Sequence, residues 1–373
     1  MASYKEKILE VIGEADVGLT TVDVAKKAGV SKTTVIKYLS VLSSEGQVEF
    51  VEVGPSKLWR NKRTGIKHKE EGAQALNVVA GVKFGGQPGE LPSVLCGTIF
   101  YHGHKIVEDE ERGLFDRTAA ERLISRQAEL SEETGCPCVL HLYARSILAF
   151  EKYLEFAEQV WSGPFIIDSA DAATRGAAAL LVSELGYADK AIYNSISLAT
   201  EEKEAHALLD CEIDSAIILA YNPAEPGVDG SLAILETGGK VREKGLLAAA
   251  RELGLVNLLI DPAVLPLGSG AGSALRFSVA AKARLGLPVG SGIHNAVSSW
   301  PWLSKKEMTA RKCCDAAAGA MQLLVAADFL LYGPIESADI IFPAAAMADI
   351  LVAEAVRDLE IAQGEAHPLH RLV

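Results

Sequence analysis

Eight short apolar segments alternate along this chain with longer segments of helical period. The apolar segments are Val94–Tyr101, Val139–Tyr143, Phe165–Asp168, Ala191–Ser195, Ala216–Asn222, Leu258–Leu265, Val289–Asn295 and Phe329–Tyr332. Among the segments between them, helical length and spacing are clearest in Arg117–Thr134, Ile147–Trp161, Ala172–Leu185 and Lys306–Ala327. Eight strand–helix units predict a closed parallel (β/α)8 barrel of the TIM type. A doubly wound open sheet is the main alternative, but no G-x-G-x-x-G follows a first strand.

A different pattern precedes the barrel. In DVAKKAGVSKTTVIKYLSVLSSEG, Gly29 ends one predicted helix and Ser31 caps the next. A helix over Tyr4–Glu14 comes before this stretch, and two short strands, Val48–Val53 and Lys57–Arg60, follow it. This order predicts a winged helix-turn-helix, and the stretch resembles that of prokaryotic winged-helix regulators. We therefore divide the chain into a winged helix at 1–63, a polar linker at 64–76 and the barrel at 77–373.

Charge is distributed unevenly along the chain. Residues 1–69 carry 12 Lys or Arg and 8 Asp or Glu, a net charge of +4, so the remainder of a chain of net charge −13 carries −17. The start of the third predicted helix, which in such a domain meets base edges and phosphates, supplies the candidate DNA contacts Lys32, Thr33, Thr34 and Lys37. The wing and linker add Lys57, Arg60, Lys62 and Arg63. The same surface could instead dock onto protein, either a partner or a second copy.

The composition is that of a globular, cytoplasmic protein. No apolar run approaches the ~20 residues that span a bilayer, and the charged N-terminus is unlike a signal peptide. The six cysteines form no C-x2-C pair, so we expect reduced, buried thiols and no protein-bound metal. His102 and His104 could bind a metal together, but no third ligand is evident, so we interpret them as surface histidines in a loop.

Polar side chains follow five consecutive predicted strands. Asp168, Asn194, Asn222 and Asn295 end the third, fourth, fifth and seventh strands, and Asp261 lies in the sixth. Because the C-terminal ends of barrel strands form the face that carries active sites, we expect a site there. Asp and Asn favour turns, which explains any one of the five better than all of them. The set contains no cation for a phosphate; it suits a 2-amino-4-oxo pterin ring, whose amino and ring N–H groups one carboxylate can accept together.

Nine stretches of the barrel sequence are typical of a single family. They are VKFGGQPGE (82–90), GTIFY (97–101), KIVEDE (105–110), AIYNSI (191–196), KGLL (244–247), PLGSGAG (266–272), PVGSGIHN (288–295), YGPIE (332–336) and FPAAAMADI (342–350). Through them the sequence, from about residue 67 to its end, resembles the H-subunit family of tetrahydromethanopterin S-methyltransferases. That family is similar in turn to methyltetrahydrofolate:corrinoid protein methyltransferases, which are pterin-binding TIM barrels, through IDS, YNSI, IDPAVLP and the Asn of GIHN.

The resemblance implies transfer of a methyl group from a reduced pterin, tetrahydromethanopterin or tetrahydrofolate, to the cob(I)amide of a separate corrinoid protein. By residue matching, Asp168, Asn194 and Asp261 would hydrogen-bond the pterin ring. Asn222 would line the pocket and Asn295 would lie near the methylated nitrogen. An Asn cannot supply a proton at neutral pH, so we assign Asn295 transition-state stabilisation rather than general acid catalysis. The sequence has no D-x-H-x-x-G motif of corrinoid-binding domains, which places the cobalamin on the partner.

Three further residues and a second function complete the predictions. Ser269 and Gly270 lie in a glycine-rich stretch that we interpret as a rim loop touching the pterin tail or the corrin, since no Lys follows as in a phosphate-binding loop. His294 either faces the helix layer or orients the amide of Asn295. We also expect a homodimer. The alternative function is a DNA-binding transcription regulator whose barrel senses a pterin, because the same pocket residues would serve for sensing.

Overall fold

The structure, a computed structural model, describes residues 4–13, 19–44, 47–53, 56–61 and 74–373. The side chains of 51–56 and 60–61 are outside this description. Lys62, Arg63 and the predicted linker up to residue 73 also lie outside the described residues. The chain divides into two compact units, Met1–Lys69 and Glu70–Val373.

The first unit is a winged helix, as predicted. Its elements are α1 (Tyr4–Gly13), β1 (Leu19–Thr20), α2 (Thr21–Ala28), α3 (Lys32–Ser44), β2 (Val48–Val53) and β3 (Ser56–Asn61). The three strands form an antiparallel sheet in the order β1-β3-β2. A capping box between Thr20 and Asp23 begins α2, and Gly29 ends it in the left-handed conformation. Its core contains Ile8, Ile12, Val24, Val35, Leu39, Leu42, Val48 and Trp59.

The second unit alternates strands and helices along most of its length. Its strands are β4 (Leu76–Val79), β5 (Val82–Gly85), β6 (Val94–Ile99), β7 (Val107–Asp109), β8 (Leu114–Phe115), β9 (Cys138–Tyr143), β10 (Phe165–Asp168), β11 (Ala191–Ile196), β12 (Ser215–Leu219), β13 (Asn257–Asp261), β14 (Gly290–Ser291) and β15 (Phe329–Pro334). Its helices are α4 (Arg117–Thr134), α5 (Ile147–Val160), α6 (Ala172–Glu184), α7 (Glu202–Leu209), α8 (Val228–Glu236), α9 (Leu246–Glu252), α10 (Gly272–Leu285), α11 (His294–Ser298), α12 (Met308–Leu324), α13 (Ala338–Ala355) and α14 (Pro368–Leu372).

Eight of these strands form a closed parallel barrel. They are hydrogen-bonded in the order β13-β12-β11-β10-β9-β6-β15-β14. A parallel bridge between Ile260 and Val289 joins the two ends of that order. The predicted TIM-type barrel is therefore confirmed, and the open doubly wound sheet is excluded.

The barrel interior is an apolar layer distinct from the one that faces the helices. Side chains alternate along each strand, so on β10 Ile166 points inward while Phe165 and Ile167 pack outward. The hairpin of β4 and β5 adds Val79 and Phe84 to the interior cluster. It therefore fills the N-terminal end of the barrel, opposite the end at which ligands bind in this fold.

Several predicted boundaries were wrong. Strand β12 ends at Leu219, so Asn222 lies in the loop that follows it, and β14 spans only Gly290–Ser291. Asn295 is consequently the second residue of α11 and does not end a strand. Apolar runs as short as these do not distinguish a strand from a buried helical turn, which is why the boundary was misplaced. The hairpin that begins at Leu76 was not predicted.

Two further predictions concern the cysteines, expected to be buried thiols, and the absence of a membrane-spanning segment. Cys96, Cys136 and Cys138 are buried free thiols, but Cys313 is exposed on α12. Adjacent residues of a helix are about 100° apart, so Cys313 and its neighbour Cys314 cannot both face inward. Within the described ranges, no helix combines the length and apolar character needed to cross a membrane.

Candidate active site

Three of the predicted site residues point into the mouth of the barrel. Asp168 and Asn194 are register partners at the ends of β10 and within β11, and Asp261 ends β13. Each follows an inward-facing residue by two positions, so the alternation of the strand turns each toward the barrel axis. Asn194 and Asp168 are half-buried, whereas Asp261 is 7% exposed. The sequence thus located a polar layer at the C-terminal end of the barrel.

The carboxylate of Asp168 is held by a histidine that the sequence analysis missed. Nε2 of His141 lies 2.9 Å from Oδ2 of Asp168, and Nδ1 of His141 lies 3.0 Å from the hydroxyl oxygen of Thr98. His141 is only 6% exposed. A carboxylate only accepts, so Nε2 donates, and Nδ1 of a neutral imidazole accepts from Thr98. These contacts orient Oδ2 of Asp168 and leave its Oδ1 without a hydrogen-bond partner among the described residues.

Asp261 is a buried carboxyl group with almost no compensation. Its Oδ1 accepts a 2.8 Å hydrogen bond from the backbone N–H of Ala263. Burial raises the pKa of Asp261 to about 7, and the Ala263 hydrogen bond opposes that rise only in part. In the part of the chain that the structure describes, no Lys or Arg pairs with it. A perturbed carboxyl group in a barrel mouth is the kind of group that ligand-binding sites contain.

Asn222 has a different environment from the other predicted pocket residues. Its Nδ2 donates to the carbonyl oxygens of Gly230 and Gly239, both at 3.2 Å. Its Oδ1 accepts from the N–H groups of Ala224 at 3.0 Å and Glu225 at 3.3 Å. With 1% exposure and every donor and acceptor of its amide in use, Asn222 fixes the loop after β12. It shapes the rim of the barrel rather than offering its amide to a ligand.

Asn295 and His294 lie side by side at the start of α11 but in different environments. Asn295 is exposed. The ring of His294 packs against Gly333, where an added Cβ would lie 2.4 Å from its Cε1. Burial lowers the pKa of His294 to about 4. No hydrogen bond joins His294 to Asn295 in this described segment, so the structure favours packing against β15 over orientation of the neighbouring amide.

The remaining predicted contacts lie at surfaces. Ser269 and Gly270 are exposed in the turn that connects β13 to α10, at the same end of the barrel as Asp261. In the winged-helix unit, the candidate DNA contacts Lys32, Thr33 and Lys37 are exposed at the start of α3. The hydroxyl groups of Thr34 and Ser31 lie 2.8 Å apart, and Ser31 also accepts from the Thr34 N–H. Thr34 therefore belongs to the helix cap.

The two histidines after β6 face different carboxylates. Nδ1 of His102 lies 2.9 Å from Glu110 at the surface. The prediction of a surface histidine was wrong for His104, which is only 2% exposed. Its Nε2 lies 3.1 Å from Glu336, and its Nδ1 accepts from the N–H of Phe100. Although burial by itself would raise the pKa of Glu336, its contacts with His104 and other donors lower it. Among the described residues, no three His, Cys, Asp or Glu side chains are grouped as a metal site would require.

Comparison with known sequences decides the family. Residues 72–363 match the family model described as the Tetrahydromethanopterin S-methyltransferase MtrH subunit. The chain belongs to this family. The putative methyltransferase mtx H subunit of Methanosarcina mazei is 48% identical over 80% of this chain and 98% of its own length. The H subunit of tetrahydromethanopterin S-methyltransferase from Methanothermobacter thermautotrophicus is 47% identical over 79% of this chain and 96% of its own. The protein is thus a methyltransferase.

The N-terminal unit has a separate relationship. Residues 7–52 match the IclR helix-turn-helix domain. An alignment of 303 residues accounts for 98% of the Methanosarcina mazei protein, which leaves that relative no room for a winged helix of its own. This chain therefore joins the MtrH-type barrel to a second unit of different ancestry.

Comparison with solved structures found dihydropteroate synthases at low similarity. The dihydropteroate synthase of Xanthomonas albilineans is 19% identical, with a TM-score of 0.45 over 76% of this chain and 98% of that one. That of Yersinia pestis is 14% identical, with a TM-score of 0.47 over 77% of this chain and 100% of that one. Because these values are low, the barrel assignment depends on the strand pairing described above.

Proposed function

We propose that the barrel transfers a methyl group from a methylated tetrahydropterin, tetrahydromethanopterin rather than tetrahydrofolate, to the cob(I)amide of a separate corrinoid protein. The proposal depends mainly on one observation: two carboxyl groups and one amide, those of Asp168, Asp261 and Asn194, occupy inward-facing positions at the barrel mouth. The choice of pterin follows the names of the relatives, among them the H subunit of tetrahydromethanopterin S-methyltransferase from Methanothermobacter thermautotrophicus.

These groups complement the polar edge of a pterin ring. The free Oδ1 of Asp168 and the carboxyl group of Asp261 accept the amino and ring N–H donors, and the amide of Asn194 both donates and accepts. Donors that reach Asp261 favour its ionised form and offset the burial that raises its pKa. The ligand would thus supply hydrogen-bond donors to Asp261 that the described part of the protein does not.

Methyl transfer breaks a carbon–nitrogen bond, and the nitrogen keeps the electron pair. That nitrogen is a poor leaving group unless it gains positive character by protonation or hydrogen bonding. Asn295, exposed at the start of α11, can hold a donor or a water where this charge changes, but it cannot be the acid itself. The corrinoid supplies a strong nucleophile in cobalt(I), so this chain needs none of its own.

The decisive experiment mixes the full chain with methyl-tetrahydromethanopterin and cob(I)alamin and follows the cobalt spectrum. We expect methylcobalamin to form, with a higher kcat/KM than methyl-tetrahydrofolate gives. We expect Asp168→Asn to lower kcat/KM, whereas His102→Leu, which removes a surface imidazole–carboxylate pair, leaves it unchanged. Absence of methylcobalamin in a protein that binds the pterin would refute the catalytic proposal and favour a pterin sensor.

A second function, DNA binding by the winged helix, is favoured by the exposed Lys32, Thr33 and Lys37 on α3 and by the match of residues 7–52. A mobility-shift assay with the DNA upstream of the protein's own coding sequence tests it. We expect Lys37→Glu to weaken binding and the observed affinity to fall as salt is raised. Absence of a shift with the wild-type chain would favour docking onto protein instead, and a shift unaffected by Lys37→Glu would refute the assignment of Lys37 as a DNA contact.

A further inference from the structure

We infer that His141 is a positioning residue for the pterin: its Nε2–H fixes the carboxylate of Asp168 in the orientation that receives the ring. The inference deepens the proposed function and depends on it, because the pterin is the ligand that Asp168 is proposed to bind. His141 stands within the apolar strand sequence CVLHLY (138–143), where a histidine would ordinarily be assigned to the core.

Three neighbouring strands place this group. On β9, Val139 belongs to the interior cluster while Leu140 packs outward, so His141 points inward. On β6, Thr98 is the register partner of His141. On β10, Asp168 is within hydrogen-bond distance of the ring at 2.9 Å. Thr98, His141 and Asp168 therefore form one chain of contacts across the inner wall of the barrel.

The contacts of His141 with Thr98 and Asp168 fix the tautomer of its imidazole. The hydroxyl group of Thr98 lies 3.0 Å from Nδ1 and can donate to it, which leaves the ring proton on Nε2, facing Asp168. The opposite tautomer would set the lone pair of Nε2 against the carboxylate. The second oxygen of Asp168 and the remaining lone pairs of its Oδ2 stay available to a ligand.

This arrangement acts on binding more than on turnover. The terminal torsion of an aspartate is broad, so a carboxylate without a partner would have to be ordered when the ligand arrives. Orientation by His141 removes that cost from the binding step. The pterin contacts Asp168 in the ground state and in the transition state alike, so losing the orientation raises Kd and KM while kcat changes little.

A merely structural histidine would behave differently. In that case His141 would stabilise the barrel wall, and its removal would lower stability and weaken binding to the same extent whatever stood at 168. A positioning role instead makes the effect of His141 depend on the carboxylate at 168. A double-mutant cycle separates these two cases.

The experiment measures tetrahydromethanopterin binding by calorimetry, and methyl transfer to cob(I)alamin, in the full chain. His141→Leu is expected to raise Kd and KM roughly 10- to 100-fold, the range for a hydrogen bond to a charged group, with kcat within about threefold. His141→Gln keeps a donor near the position of Nε2 and is expected to recover most of the affinity. Thr98→Val, which frees the tautomer, should give an intermediate loss. In an Asp168→Ala background, which removes the acceptor of the His141 donor, His141→Leu should change Kd by less than about twofold.

The matched control is His102→Leu, which removes an imidazole–carboxylate contact of the same 2.9 Å length outside the barrel. It should leave Kd and KM unchanged. An unaltered Kd in a folded His141→Leu, or an equal loss in both backgrounds at 168, would overturn the inference and leave the proposed function intact. A wild-type chain that binds no pterin would overturn both together. Thermal unfolding of each variant shows whether it is folded.

Discussion

Asp261 provides a specific test of the site. Its buried carboxyl group destabilises the fold, and within the described residues it accepts only the hydrogen bond from the N–H of Ala263. Burial raises its pKa from the ordinary 3.8 to about 7. Since the pKa is higher in the folded state than in the unfolded state, the folded protein binds more protons between these two values. The contribution of Asp261 to stability is therefore most favourable below about pH 4 and is lost as the pH rises through 7.

The substitution Asp261→Asn removes this penalty. Asn does not ionise, and its Oδ1 can still accept from the N–H of Ala263, which is 2.8 Å from Oδ1 of Asp261. At 1.36 kcal/mol per pKa unit, the variant should be more stable than the wild type by about 4 kcal/mol at pH 8 but by only about 0.5 kcal/mol at pH 4. For a unit of roughly 300 residues, this corresponds to an increase in Tm of about 6 °C at pH 8 and of less than about 1 °C at pH 4.

Differential scanning calorimetry of both proteins from pH 4 to pH 8 measures the difference. The same variant should bind tetrahydromethanopterin about 10-fold more weakly or worse, and wild-type affinity should fall as the pH drops below 7. A control is Asp171→Asn at the start of α6, where hydrogen bonds from Thr174 lower the pKa of Asp171. Stability that Asp171 contributes is present above its unfolded pKa and lost at low pH, so the sign is opposite. A stability difference at Asp261 that did not vary with pH would show that ionisation of this carboxyl group does not destabilise the fold.

Three further substitutions test other parts of the barrel. Asn295→Ala should lower kcat by about 10²–10³-fold in the cob(I)alamin assay with little change in pterin Kd, and the reverse pattern would make Asn295 a binding residue. Lys282→Met should lower the unfolding free energy by about 3–5 kcal/mol in urea titrations, because the buried Lys282 pairs with Asp328 at 2.7 Å; adding Asp328→Asn should recover much of that loss. Asn222→Ala should expose the loop after β12 to limited proteolysis and cost about 2 kcal/mol, since four backbone contacts lose their partner.

The elements that could be predicted are those whose signals are local. The bounds of Phe165–Asp168 and Arg117–Thr134 match the structure because apolar periodicity and end signals agree there. Asp116 caps α4 by accepting from the N–H of Ala119, and Gly135 ends the helix in the left-handed conformation. The prediction that Asp168 lies at the barrel mouth also needed only the position where its strand ends, because the last residue of a barrel strand lies at the C-terminal face.

The elements that could not be predicted depend on contacts between distant positions. His141 lies in an apolar strand, and only the register of β9 with β10 shows that its ring reaches Asp168. Asn222 ends an apolar run in the sequence as Asn194 nearly does, yet its amide is occupied by Gly230 and Gly239 further along the chain. No pattern within the strand sequence distinguishes an amide that a loop uses from one that a ligand can use.

The distribution of satisfied and unsatisfied groups indicates where selection for ligand binding acts. Asn222, with its amide fully occupied, stabilises the fold whether or not a ligand is present. Asp261 has one backbone donor and a pKa raised by burial to about 7, so it weakens the empty barrel. Burial also raises the pKa values of Asp328 and Asp349, but Lys282 pairs with the first and Ser93 donates to the second. Asp261 has no such side-chain partner among the described residues, and at the mouth of the barrel a ligand rich in hydrogen-bond donors would supply it. A pterin meets that requirement, whereas a phosphate, which brings acceptors and negative charge, does not.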